Sequence, residues 1–319
     1  MKNIFGALIA FLVLHASVHA ADKIRVGYPA PIGNFLTLPL AQKKGFFREE
    51  GLDAEIIRIR PPASYAALAN GDIDYFTGIG GAAVAAATRG VPIRVVACFV
   101  PSLPFMLIAR PEIKSVQDLK GKTIMIGVAG SSPDLIARMM LKHFGLDPEK
   151  DMKLLPGGAS DARLVALKEG LVTATVVGPP FDYLGKKLGL NILARSHELL
   201  SYPEGGLSTA IKRIKERPDE VKRVIKAGIK ANRYIRTDRE GTTQFMMEWQ
   251  RVDKETAAAT YESVWKTYND DGSLPEKGLR LVIEEARRVG KVEREIALTE
   301  VADLSILGEA QKELGIKAR

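Results

Sequence analysis

Residues 67–90, ALANGDIDYFTGIGGAAVAAATRG, run from the end of a helix past Gly71 into a short apolar strand. They then break into Gly78, Gly80 and Gly81 ahead of an alanine-rich helix. Glycines between a strand and a helix suggest a nucleotide loop. G-x-G-x-x-G is not completed here, however, and no Lys-Ser/Thr follows, so a phosphate-cradling loop is excluded. A second copy of the pattern decides the reading. Residues 166–181, ALKEGLVTATVVGPPF, repeat Ala-Leu-x-x-Gly, an apolar strand and then Gly, with Gly170 in the place of Gly71.

The correspondence extends in both directions. IRVGYPAPIGN (24–34) and TIMIGVAGSSPD (123–134) each read as an alternating strand that ends at a glycine, Gly27 or Gly127, and opens into a loop and a helix. Second strands follow, AEIIRIR and KLLPG, then the Ala-Leu-x-x-Gly helix and a third strand. Strand, helix, strand, helix, strand is the signature of a parallel α/β sheet. One such unit per half gives two lobes whose strand-end loops can face each other. Crossovers are expected near Arg110 and between Ser196 and Gly206. After the second one the chain turns helical, with Pro218 at a helix start and Val221, Val224, Ile225 and Ile229 on one face. Further helices are expected over 253–269, 276–289 and 300–314.

The N-terminus reads as an export signal over residues 1–20. Lys2 gives the charged start, Ile4 to Leu14 the apolar core, and SVHA the small residues before Ala21. The apolar core is shorter than the roughly 20 residues that cross a bilayer. The rest divides as residues 21–109 plus 207–319 for lobe I and 110–206 for lobe II. With one cysteine, Cys98, no intramolecular disulfide can form, and no cofactor or metal set is legible. The net charge of +8 is spread along amphipathic segments such as KRIKERPDEVKRVIKAGIK. That is the pattern of solvated helix faces and not of a nucleic-acid surface. Isolated residues supply no nucleophile and base pair, so no catalytic residue is assigned.

The order LPLAQKKGFFREEGLDAEI, ALANGDIDYFTG, RGVPIRVVA, IKSVQDLKGKTI, GSSPDLIARMML and RPDEVKRVIKA resembles the periplasmic substrate-binding proteins of nitrate/sulfonate/taurine-type ABC transporters. The same superfamily holds the enzymes that make the thiamine pyrimidine precursor. The resemblance implies a type II periplasmic binding fold: two α/β lobes, each a mostly parallel sheet flanked by helices, with a helical C-terminal region on the first lobe. It also implies a small-molecule ligand and an ABC permease as partner, while the export signal points to the periplasm and a monomer with no nucleic-acid partner is expected. The alternatives are a receptor for a membrane sensor and a synthase-like enzyme. The synthases' cysteine-rich motif is absent, and in VVGPPF Gly178 stands where the family often has an acid.

Ligands of parallel α/β sheets bind beyond the carboxyl ends of the strands. The loops there nominate Asn34, Phe35, Thr37, Gly80, Gly81 and Ala82 in the first half. In the second half they nominate Ser131, Ser132, Pro180 and Phe181. Gly80 and Gly81 let a ligand approach the backbone, and Ser131-x-x-Asp134 fits a helix cap whose free N–H groups favour negative charge. The expected ligand is therefore a small anion or anionic organic molecule held by amides and hydroxyls. Arg138 and Arg163 are expected on outward helix faces.

Overall fold

The computed structural model describes residues 21–60, 63–128 and 131–317. The export signal expected over 1–20 lies outside the described residues. Lobe I is built on strands β1 (Asp22–Tyr28), β2 (Leu52–Arg58), β3 (Tyr75–Gly78), β4 (Ile93–Val100) and β10 (Gly205–Ala210), in the order β2-β1-β3-β10-β4. Lobe II carries β5 (Met106–Ala109), β6 (Thr123–Ile126), β7 (Lys153–Pro156), β8 (Ala174–Val177) and β9 (Asn191–Arg195), in the order β7-β6-β8-β5-β9. In each sheet three neighbouring strands are parallel, and a fourth, β10 or β5, runs antiparallel between its neighbours. The molecule is thus two-lobed α/β with mostly parallel sheets.

The repeated Ala-Leu-x-x-Gly is a helix end. Helix Ala63–Asn70 stops at Gly71 with φ of 80°, and helix Ser160–Lys168 is followed by Gly170 with φ of 76°. Only glycine enters that left-handed region freely, so it terminates the helix and turns the chain into the next strand. Leu68 and Leu167 anchor the two helices to their sheets, at 0% and 1% exposure.

Met106–Ala109 pairs with both β8 and β9, so it belongs to the second sheet. The first crossover therefore lies between Val100 and Met106, upstream of the Arg110 expected from the polar composition there. The second runs from Ser196 to Glu204. The two crossovers are hydrogen-bonded to each other: Ser196 N donates to Phe105 O (2.8 Å), Phe105 N to Ser196 Oγ (3.0 Å), and Tyr202 N to Pro101 O (2.9 Å). The two connections between the lobes thus run paired side by side.

The C-terminal helices cover lobe I. Along helix Pro218–Thr237 the face Val221, Val224, Ile225 and Ile229 is fully buried, each side chain contributing about 1.5–3 kcal/mol. Gly228 lets this helix come close, since a Cβ there would collide with the Phe99 ring on β4. The helix expected over 300–314 starts only at Leu307, because Ala302 forms a parallel bridge with Val95 at the sheet edge. Among the described residues no helix is long and apolar enough to cross a membrane.

Candidate ligand site between the lobes

The strand-end loops of the two sheets meet at a cavity of about 300 Å³. Lobe I supplies Pro31, Ile32, Gly33 and Asn34 from the loop after β1, lobe II supplies Gly178, Pro179 and Pro180 from the loop after β8, and the first crossover supplies Pro104 and Phe105. Helix Lys254–Val264 closes the remaining side with Thr256, Thr260 and Val264, preceded by Gln250 and Val252. Thr256, Thr260 and Val264 recur at every fourth position and so share one helix face. Among the described residues the wall is mostly apolar, carries no Lys, Arg or His, and offers neutral polar groups. Gln250 Nε2 is buried without a hydrogen-bond partner among the described residues. The site can surround a compact apolar body and offer it a few hydrogen bonds.

The loop anchoring is local. Buried Tyr268 donates its hydroxyl to Gly33 O, fixing the turn that carries Asn34. Glu204, half-buried and outside the wall of this cavity, extends its carboxyl over the end of β3, where a Cβ on Gly80 would collide with Oε2. Tyr65 and Tyr202 flank it, and burial first, then the Glu204 charge, raises the phenol pKa of both. Burial pushes the Glu204 carboxyl itself up to about 7. On lobe II, Arg163 is 2% exposed and donates to Val176 O (2.9 Å), Gly158 O and Ser160 Oγ (3.1 Å). Burial lowers its pKa. It therefore lies inward at the ends of β7 and β8, not on the outward face expected from the helix period.

Two larger grooves, each of about 730 Å³, flank the cavity and are walled by the charged faces of opposed helices. In the first, the lobes grip each other directly. Tyr183 Oη (2.6 Å) and Lys187 Nζ donate to Glu255 Oε1, and Ser263 Oγ donates to Asp182 Oδ2 (2.8 Å). Among the described residues no group of three or more His, Cys, Asp or Glu is placed to hold a metal ion.

Residues 33–241 match the family described as NMT1/THI5 like. The chain belongs to the NMT1/THI5-like family. A Brucella abortus protein that carries the name of a binding protein is 26% identical over 270 residues, covering 79% of this chain and 80% of that one. Among solved structures, the sulfonate-binding SsuA of Methylobacillus flagellatus superposes with a TM-score of 0.74 at 18% identity, over 94% of this chain and 97% of its own. The desulfurization enzyme DSZB superposes at 0.66 with 14% identity, over 92% and 99%. This NMT1/THI5-like chain thus shares its two-lobed fold with periplasmic binding proteins and also with an enzyme.

Of the residues nominated from sequence, Asn34 and Pro180 meet on the cavity wall. Gly80 and Gly81 are not on that wall and face Glu204 and Tyr202, the chain's own side chains. Ala82 is exposed, Phe35 is buried, and Phe181 packs against the lobe II core. Thr37 is spent on structure: its hydroxyl donates to Asn232 Oδ1 (2.8 Å) in the buried joint with helix Pro218–Thr237. Ser131 takes the extended backbone of a helix cap, yet its hydroxyl makes no cap bond and is buried without a partner among the described residues. Asp134 turns instead to Arg138 at 2.6 Å, and Ser132 opens the helix half-buried. Sequence reasoning missed Glu204, Gln250, Thr256 and Thr260. The four-residue spacing of the threonines with Val264 was a usable signal, and so was an acid between Pro203 and Gly205 in a crossover.

Proposed function

We propose that this chain is the solute-binding component of an ABC import system. It works in the periplasm as a monomer, captures a small molecule between its lobes, and hands it to a permease. The observation that carries this reading is the cavity whose wall is shared by lobe I, lobe II and the first crossover between them. A solute there contacts both lobes only when they are closed, so it stabilises the closed form by its differential affinity for the two states. The Brucella relative and the sulfonate-binding structure support capture over chemistry. The apolar wall favours an organic solute over a bare inorganic anion, which would lose its hydration for little in return.

Native mass spectrometry of protein purified from its own host tests the reading. The expected result is one retained organic solute per chain, released unchanged on unfolding and rebound on mixing. Conversion of that solute into a different mass on incubation would make the protein an enzyme, as the DSZB likeness allows. Absence of any retained or rebindable solute would remove the reading.

A further inference from the structure

We infer that the cavity between the lobes takes an uncharged organic solute, and that Gln250 fixes its orientation by donating a hydrogen bond to a carbonyl-type acceptor on it. The inference rests on the solute-binding reading above, and it departs from the anion expected of the strand-end loops.

Gln250 ends helix Arg239–Gln250, and its side chain stands on the cavity wall. Its Nε2 is buried there with no hydrogen-bond partner among the described residues. An amide N–H donor withdrawn from water and left unpaired costs stability that an acceptor restores. The terminal torsion of a glutamine is soft, so the carboxamide can turn toward an acceptor that enters the cavity. The two threonines of the wall cannot donate in its place. Thr256 Oγ1 donates to Asp253 Oδ2 (2.9 Å) and Thr260 Oγ1 to Thr256 O (2.8 Å), so both hydroxyl protons are spent within the chain. The wall's side-chain donors are therefore two carboxamides, Gln250 and Asn34.

The charge beside the cavity is matched within the chain. Helix Lys254–Val264 opens next to the wall, and its first turn is occupied by the Asp253 carboxylate, whose Oδ1 accepts from Thr256 N (2.8 Å). The bonds from Thr256 hold that carboxyl below the usual range. The positive end of the helix is thus compensated internally and not offered to an incoming anion. Arg251 and Lys254, the cations nearest in sequence, are exposed and off the wall. The lobe II side is Gly178 and the pair Pro179 and Pro180, with Phe105 of the crossover against them: a Cβ on Gly178 would lie 3.4 Å from the Phe105 ring. Its N–H groups are committed too, Phe105 N to Ser196 Oγ (3.0 Å) and Gly178 N to Ser160 Oγ (3.3 Å), and the prolines have none. An ion placed here exchanges its hydration for ring surface and two neutral amides, which is a net loss. An uncharged molecule gives up little and keeps the bond that orients it. At about 300 Å³ the cavity holds roughly ten water-sized groups, enough for one ring or a short chain.

Two probe sets with fixed skeletons test this by calorimetry on the mature chain. One comprises benzamide, benzoate, benzenesulfonate and benzylamine; the other comprises pentanamide, pentanoate, pentanesulfonate and pentylamine. The amide of at least one set should bind tenfold or more tighter than every charged member of that set. Gln250→Leu should weaken that amide at least tenfold while the thermal midpoint of the solute-free protein stays unchanged or rises, because an unpaired buried donor has been removed. Gln250→Glu, the same shape without the donor, should weaken it as much. The inference is overturned if a charged member matches its amide in both sets, if neither amide binds, if either variant binds the amide normally, or if Gln250→Leu lowers the solute-free midpoint, the mark of a structural glutamine. Mass identification of the host-derived solute separates the two levels. An ionic solute that binds and closes the lobes refutes selection for an uncharged one and leaves solute binding standing, whereas no solute at all refutes both.

Discussion

Glu204 carries a free-energy consequence that is measurable without any ligand. Its folded pKa of about 7 lies above the ordinary 4.5. The folded chain therefore holds a proton that the unfolded chain has lost between those values. The associated stability is complete below about pH 4.5 and is lost as pH rises through 7. Glu204→Gln should abolish this slope, so the variant melts progressively higher than the wild type from pH 5 to pH 8; parallel melting curves would contradict the assignment. Asn232 tests the buried joint that absorbed Thr37. Its amide donates to Phe99 O (2.9 Å) and Asn269 O (2.7 Å) while its carbonyl accepts from Thr37. Asn232→Ala strands those groups and should cost about 1–3 kcal/mol in urea unfolding; a loss under about 0.5 kcal/mol would mean that water replaces the amide. Neither role was legible in sequence. A threonine after a strand-end loop looks like a ligand contact until the helix two hundred residues later claims it. Arg163 looked solvent-facing because helical period identifies faces, not the carbonyls waiting on the far side.

Elements were more legible, because their ends are set by local chemistry. Gly71 and Gly170 had to follow helices and precede strands, and both take positive φ. The apolar stripe from Val221 to Ile229 needed no partner to be recognised. What failed was pairing. β5 is an apolar tetrapeptide that reads equally well as the end of lobe I or the start of lobe II, and only its partners β8 and β9 decide. Likewise, residues 300–306 have helical composition, but Ala302 is held extended against Val95. The contact between helix Pro218–Thr237 and β4 gives a quantitative test. Gly228→Ala forces a methyl into the Phe99 ring, and should destabilise by about 1–3 kcal/mol despite alanine's better helix propensity. An unchanged or raised stability would mean that the helix can slide outward freely.

At the scale of the molecule, the lobes hold each other through side chains on helices Phe181–Lys187 and Lys254–Val264. Tyr183 and Lys187 converge on Glu255, which they hold below the usual glutamate range. Glu255→Ala should shift the lobes toward the open arrangement and weaken solute binding severalfold. The gap from wild type should narrow at high salt, because exposed charges are screened there. Equal affinities at low salt would make the contact incidental. The central claim is that occupancy of the cavity and closure of the lobes are one event. Spin labels at Leu171→Cys on lobe II and Leu304→Cys on lobe I, both exposed positions, report the interlobe distance, while Cys98 is buried and unreactive to label. Pulsed dipolar spectroscopy on solute-stripped protein, before and after adding back the host-derived solute, should show a longer distance population converting to a shorter one in proportion to occupancy. A distance distribution that stays unchanged at saturating, mass-verified occupancy would contradict the account.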